Sequence, residues 1–184
     1  MSSEEEPPAK KAKTTGWESH TLNCAEALMK DDETKHFSAL VDAPVQTLQG
    51  IGQHSELVLS ALGCSTIKDL ATYKYFLLAR ALKTLSETEK GERLEGSVMN
   101  VDKAVDKEYE SKTLKEIVAA PTAAIEGLTD QAGELLESLG AKTIGELAEC
   151  KYFCWAEAIV CAAQYEEQKT AAERKMEKAM NQLK

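Results

Sequence analysis

With 184 residues, the chain is long enough to build one domain, or two small ones, around a real core. It is 43% hydrophobic, 29% charged and only 5% aromatic, and 22 Lys plus Arg against 31 Asp plus Glu leave a formal net charge of −9. Such a surface on average repels nucleic acid and anionic lipid. No apolar run approaches the roughly eighteen residues of a membrane span, and the start MSSEEEPP lacks the positive-then-apolar order of a secretory signal. The expectation is an intracellular protein, cytoplasmic or nuclear, without membrane association. Four prolines and ten glycines among abundant Ala, Leu, Glu and Lys favour an all-α fold.

Residues 1–16, MSSEEEPPAKKAKTTG, are polar with no apolar face and are expected to form a disordered tail. Within them Lys10, Lys11 and Lys13 form a K-K-x-K cluster after Pro7 and Pro8. The cluster resembles a monopartite nuclear-import signal and equally suits a solvated tail.

From Leu22 onward the chain repeats itself. Leu22 to Leu85 aligns without a gap on Met99 to Ala162 at a constant offset of 77 residues, with 21 identities in 64 positions. The expected organisation is a first helical repeat at 17–85, a linker at 86–98 and a second repeat at 99–162, each repeat with about five short helices. The features kept in both copies read as helix starts and stops. Pro44 and Pro121 suit a first helical turn, where the missing N–H costs nothing. Leu48 and Ile51, like Ile125 and Leu128, bracket a glycine that permits a tight turn. A helix with Leu59 and Leu62 (Leu136 and Leu139) on one face then stops at Gly63 or Gly140, suited to a left-handed cap. Thr66 with Asp69, and Thr143 with Glu146, have the spacing of a helix N-terminus. The helix that follows carries Leu70, Ala71, Tyr75, Phe76, Ala79 and Ala81, each repeated 77 residues later, and its Tyr-Phe pair reads as core rather than as a base-stacking platform.

Residues 163–184 are expected to extend the last helix. Trp155, Ala158, Ala162, Tyr165, Lys169, Ala172, Met176, Ala179 and Leu183 follow the alternating three and four steps of a helical seam, which would pack back on its own domain or pair with another chain.

The run LQGIGQHSELVLSALGCSTIKDLA resembles a helix-hairpin-helix motif, and IEGLTDQAGELLESLGAKTIGELA is similar; the resemblance covers about 25 residues of each copy. It implies an all-α tandem duplication of a small helical unit built on such a hairpin, with the long C-terminal helix added. In that family the hairpin amides commonly hold a DNA phosphate, often with a basic residue just after the second glycine, while some members serve only as protein-contact modules. The candidate phosphate-contacting residues carried over are Gly50, Ile51, Gly52, Gln53 and His54. The first copy has Gln53 and His54 where a lysine is usual; the second has Thr129 for the second glycine, followed by Asp130, whose carboxylate opposes an anion. The first copy is near neutral at −1 and the second is acidic at −6, so any nucleic-acid contact is expected in the first.

No catalytic constellation is legible. His20, His36 and His54 are scattered and none recurs in the other copy, and no HExxH, Ser/His/Asp pattern or glycine-rich phosphate loop is present. Cys24, Cys64, Cys150, Cys154 and Cys161 form no disulfide framework. Cys150 and Cys154 lie one helical turn apart, but neither a histidine nor a third cysteine accompanies them at a metal-ligand spacing, so the cysteines read as small buried apolar groups. The expectation is a non-enzymatic protein-interaction or scaffolding module, without cofactor or metal, presenting two related surfaces to protein partners. Nucleic-acid backbone binding by the first hairpin is the alternative.

Overall fold

Helix starts in this chain are set by side chains that answer the unpaired N–H groups of a first turn. A computed structural model of the chain describes residues 16–182; Lys10, Lys11 and Lys13, and most of the expected tail, lie outside the described residues. The first copy contains α1 (Phe37–Leu40), a one-turn 3-10 helix (Val45–Thr47), α2 (Gln53–Ala61), α3 (Ile67–Ala71) and α4 (Lys74–Ser86). The second repeats the order: α5 (Leu114–Ala119), a 3-10 turn (Thr122–Ala124), α6 (Asp130–Ser138), α7 (Ile144–Ala148) and α8 (Lys151–Ala163). A last helix, α9 (Ala171–Asn181), follows. The fold is all-α, with no strand among the described residues. The described residues divide into two compact units, one of residues 24–166, the other of residues 16–23 with 167–182.

Several local bonds recur at the same positions in both copies. Thr66 with Asp69 and Thr143 with Glu146 form full capping boxes at the starts of α3 and α7. For Asp69, partial burial works to raise the pKa but is outweighed by donation from the Thr66 hydroxyl and the Thr66 and Ser65 amides, so its carboxyl sits below the usual range. Gly63 and Gly140 end α2 and α6 at φ +81° and +85°. Pro44 and Pro121 precede the 3-10 turns as extended residues rather than occupying a first α-turn. Each proline is held by the adjacent backbone, Ile67 N–H to Ala43 O (2.9 Å) and Ile144 N–H to Ala120 O (3.0 Å).

One expectation fails inside each copy. The stretch from Ile67 through Leu82 is two helices, not one, broken at Thr72 and Tyr73, where Tyr73 is extended (φ −63°, ψ 111°). Neither Gly nor Pro makes this break. The second copy breaks in the same way at Cys150 (φ −62°, ψ 115°), which carries no ring, so the break common to both copies goes with the turn that sends α4 and α8 onto the other copy, tertiary packing overriding local propensity. In the first copy Tyr73 also lays its ring against Phe153, with centroids 5.4 Å apart.

The break lets the last helix of each copy leave its own hairpin and pack on the other. α4 lies against α5 and α7, and α8 against α1 and α3. Phe76 and Phe153, both fully buried, stack on each other at 5.3 Å between centroids and 23° between planes. The two residues are equivalents, so the pseudo-twofold axis of the unit passes between them. A symmetric pair of caps closes the arrangement. Just past α4, the Glu89 carboxylate accepts from the Leu114 and Lys115 amides at the start of α5 (2.8 and 3.0 Å). Just past α8, Glu166 accepts from Phe37 and Ser38 at the start of α1 (2.8 and 2.9 Å).

The expected long C-terminal helix is not present as one piece. α8 ends at Ala163 because the chain must turn to deliver Glu166 to α1, and a new capping box, Thr170 with Glu173, starts α9. Trp155, Ala158 and Ala162 of the seam are therefore in α8, Ala172, Met176 and Ala179 in α9, and Tyr165 (83% exposed) and Lys169 in neither, while Leu183 lies outside the described residues. In the smaller unit, Lys169–Glu177 (2.7 Å) and Arg174–Glu167 (2.9 Å) ion pairs brace α9, whose Met176 and Met180 face solvent.

Two outcomes follow. Phe76→Ala or Phe153→Ala should each cost about 3–5 kcal/mol in denaturant unfolding, because both rings are fully buried; a loss below about 1 kcal/mol would contradict their place in the core. Partial burial raises the Glu166 pKa, but the Ser38 amide and hydroxyl, the Phe37 amide and His36 together outweigh it and hold the carboxyl below its usual range. A lowered folded pKa gives stability that is complete above the unfolded value of about 4.3 and lost as pH falls through the folded value. Glu166→Gln should flatten that acid limb in a series of melts from pH 6 to pH 2, and an unchanged limb would contradict the assignment.

Candidate functional site

The residues singled out by sequence lie on the loop from Leu48 to α2. Gly50 is exposed with φ +92°, a left-handed conformation that L side chains resist, and Gly127 repeats it at +83°. Ile51 is turned inward and buried. Gly52 is the N-cap of α2 with ordinary extended backbone (φ −88°), and Gln53 and His54 are the exposed first residues of that helix. The second glycine of the motif is thus a cap and not a strained turn residue. Its equivalent, Thr129, is a better cap, accepting from the Ala132 amide at 3.2 Å. Substitution of this glycine in the second copy preserves the backbone of the hairpin.

Each hairpin is clamped from the other copy. The Tyr152 hydroxyl donates to Gly50 O (2.9 Å), and the Tyr75 hydroxyl donates to Gly127 O. A Cβ added at Gly50 would lie 3.3 Å from Tyr152 Oη and 3.6 Å from Lys151 Nζ, and one at Gly127 would lie 3.4 Å from Tyr75 Oη. The half-buried tyrosines therefore act as latches, while their phenylalanine neighbours fill the core. The latches bring a lysine with them. Lys151 sits by the first hairpin, 5.0 and 5.3 Å from the Tyr152 and Trp155 ring centroids, and Lys74 lies 4.5 Å from the Tyr75 ring.

The two ends differ in what they show to solvent. The first presents Gln49, Gly52, Gln53 and His54 with Lys151 beside them, and the N-terminal amides of α2 have no side-chain cap. The second presents Glu126, Thr129, Asp130 and Glu134, and its first turn is capped and acidic. Lys151, Lys74 and the two latches escaped the sequence reading as site residues because they belong to the opposite copy. Their signal was the identity of Lys-Tyr-Phe at both 74–76 and 151–153.

The remaining candidate groups are dispersed. Among the described residues no three His, Cys, Asp or Glu side chains converge to hold a metal, and no helix is long and apolar enough to cross a membrane. Burial, with Asp69 adding to it, pushes the Cys64 thiol up to about 12, and burial likewise raises Cys150 and Cys154. Cys161 departs from the expectation of buried cysteines and is exposed. A hollow of about 410 Å³ at the α7–α8 turn, lined by Glu146, Glu149, Cys150 and Lys151 among others, is open to solvent. Comparisons with protein-family models, with curated proteins and with solved structures found no match.

The distinction between the two hairpin glycines is measurable. Gly50→Ala should lower stability by about 1–2 kcal/mol from the left-handed backbone alone, with the Tyr152 contact adding to it. Gly52→Thr, which copies the second repeat, should leave stability unchanged or slightly raised in the same denaturant titration. Equal losses at the two positions would contradict the cap assignment.

Proposed function

We propose that the chain is a non-enzymatic interaction module in which two helix-hairpin-helix-like ends, alike in backbone and different in surface, each engage a protein partner. The observation that carries this reading is the reciprocal latch, Tyr152 to Gly50 and Tyr75 to Gly127. It ties both exposed loops to one conformation with a tyrosine hydroxyl from the other copy. Preorganised loops bind with less ordering cost than mobile ones, and two of them on one chain suit a scaffold joining two partners or gripping a repetitive one. The acidic second end, with Glu126, Asp130 and Glu134, fits a basic protein segment. Tagged full-length protein, captured from its own cells and compared by mass spectrometry, tests the reading. Asp130→Lys with Glu134→Lys should lose one set of partners, and Gln53→Ala with His54→Glu should lose another. Identical partner sets for both variants and the wild type would contradict it.

A second reading has its own support. The uncapped start of α2, with Lys151 Nζ beside Gly50, offers backbone amides and a cation to a phosphate, and the resemblance to the helix-hairpin-helix family supports the same contact. The net charge of −9 opposes it. Fluorescence anisotropy with a labelled duplex over a range of salt concentrations separates the readings. Phosphate binding gives affinity that falls steeply with salt and is weakened by Lys151→Glu, whereas the scaffold reading expects no duplex binding at physiological salt.

A further inference from the structure

Near the pseudo-twofold axis of residues 24–166, residues face their own equivalents, and there the two copies have diverged in charge. Phe76 meets Phe153, and one turn further along each helix Arg80 of α4 forms an ion pair with Glu157 of α8. The Glu157 oxygen that meets the guanidinium is shielded from solvent, and about half of the Arg80 side chain is covered. Positions 80 and 157 are equivalent at the offset of 77.

Most of the remaining joint does not distinguish one copy from the other. The tyrosine latch, the glycine it holds, the phenylalanine at the axis and the glutamate that caps the opposite first helix are present in both. Two first copies brought together in the same geometry would remake nearly all of these contacts, as would two second copies. Few contacts would be lost: Lys83 with Glu149 in either like pairing, and the stack of Tyr73 on Phe153 only between two second copies, which carry Cys150 in place of Tyr73, since two first copies would offer Tyr73 the equivalent ring of Phe76. What such pairings would add is Arg80 against Arg80, or Glu157 against Glu157, in a partly desolvated place where like charges repel strongly.

We propose that the Arg80–Glu157 pair is the specificity-determining contact of this joint: it makes each repeat accept only the unlike repeat, from its own chain or from a second copy that exchanges halves, and it excludes pairing of like repeats. A duplicated sequence whose halves complete one another needs such a device. During folding at high concentration the like half of a neighbouring chain is a near-equivalent competitor, and only a repulsive element rejects it.

The full-length chain tests this by refolding from denaturant at increasing protein concentration, with size-exclusion chromatography and light scattering as the readout. Arg80→Leu with Glu157→Leu gives an axis that like pairings accept, and it should return a several-fold larger fraction of dimers and higher oligomers than the wild type. Arg80→Glu with Glu157→Arg keeps opposite charges within the chain and like charges between like halves, and should refold as the wild type does. Thr84→Leu, an exposed apolar substitution at a position outside the pair, should also match the wild type. An apolar double variant that refolds with the wild-type distribution would overturn the proposal, as would a charge-swapped chain that misassembles as often as the apolar one. Should the apolar variant fail to fold, the comparison rests on Arg80→Glu alone. That variant should melt lower and misassemble more than the wild type, with both defects reversed by adding Glu157→Arg; no rescue overturns the proposal.

Discussion

The helix that leaves each hairpin packs on the other copy, and the rest of the 24–166 unit depends on that exchange. α4 covers α5 and α7, and α8 covers α1 and α3, so neither copy closes a core from its own residues. A unit of about 60 residues buries little surface alone and only marginally offsets the entropy of ordering it. Here the offset comes from side chains such as Phe76, Phe153, Leu82 and Ile159, all buried on the two helices that pack across onto the other copy. The polar contacts obey the same geometry. Glu89 and Glu166 each cap a short helix of the opposite copy, where a four- or six-residue helix has little stability of its own.

What could be read from the sequence was what acts locally. Capping threonines, terminal glycines and the 77-residue offset each work within a few residues or by direct identity, and they located α2, α3, α6 and α7 within their copies. The break between α3 and α4 was not legible, because Thr72 and Tyr73, like Glu149 and Cys150 at the matching break, carry no helix-breaking chemistry and the cause is the packing of the next helix on the other copy. The caps at Glu89 and Glu166 lie four residues past the end of the aligned copies, where a single shared glutamate carries no pattern. At the C-terminus, three and four spacing continues through Gln164 to Lys169 although the backbone there is not helical. Periodicity records which residues would share a face, and it is silent on whether the chain must turn to satisfy a distant amide.

The hairpins show the same division between backbone and surface. Gly50 and Gly127 are tied to a positive φ and to a tyrosine hydroxyl, so neither could drift, whereas the cap position changed from Gly52 to Thr129 at no cost to the backbone. The outward residues diverged much further, from Gln53 and His54 to Asp130 and Gln131. Duplication supplied two copies of a rigid presentation, and the later changes fell on charge. At the exposed ends they make the two hairpin surfaces differ in charge, and at the axis they set Arg80 against Glu157.

If the copies complete each other, residues 24–166 open as a whole. Native-state amide hydrogen exchange in low denaturant measures this residue by residue. The account predicts that the slowest amides of α3, α4, α7 and α8 converge on one opening free energy with one denaturant dependence. Two separate openings, one for residues 37–86 and another for 114–163, would contradict it.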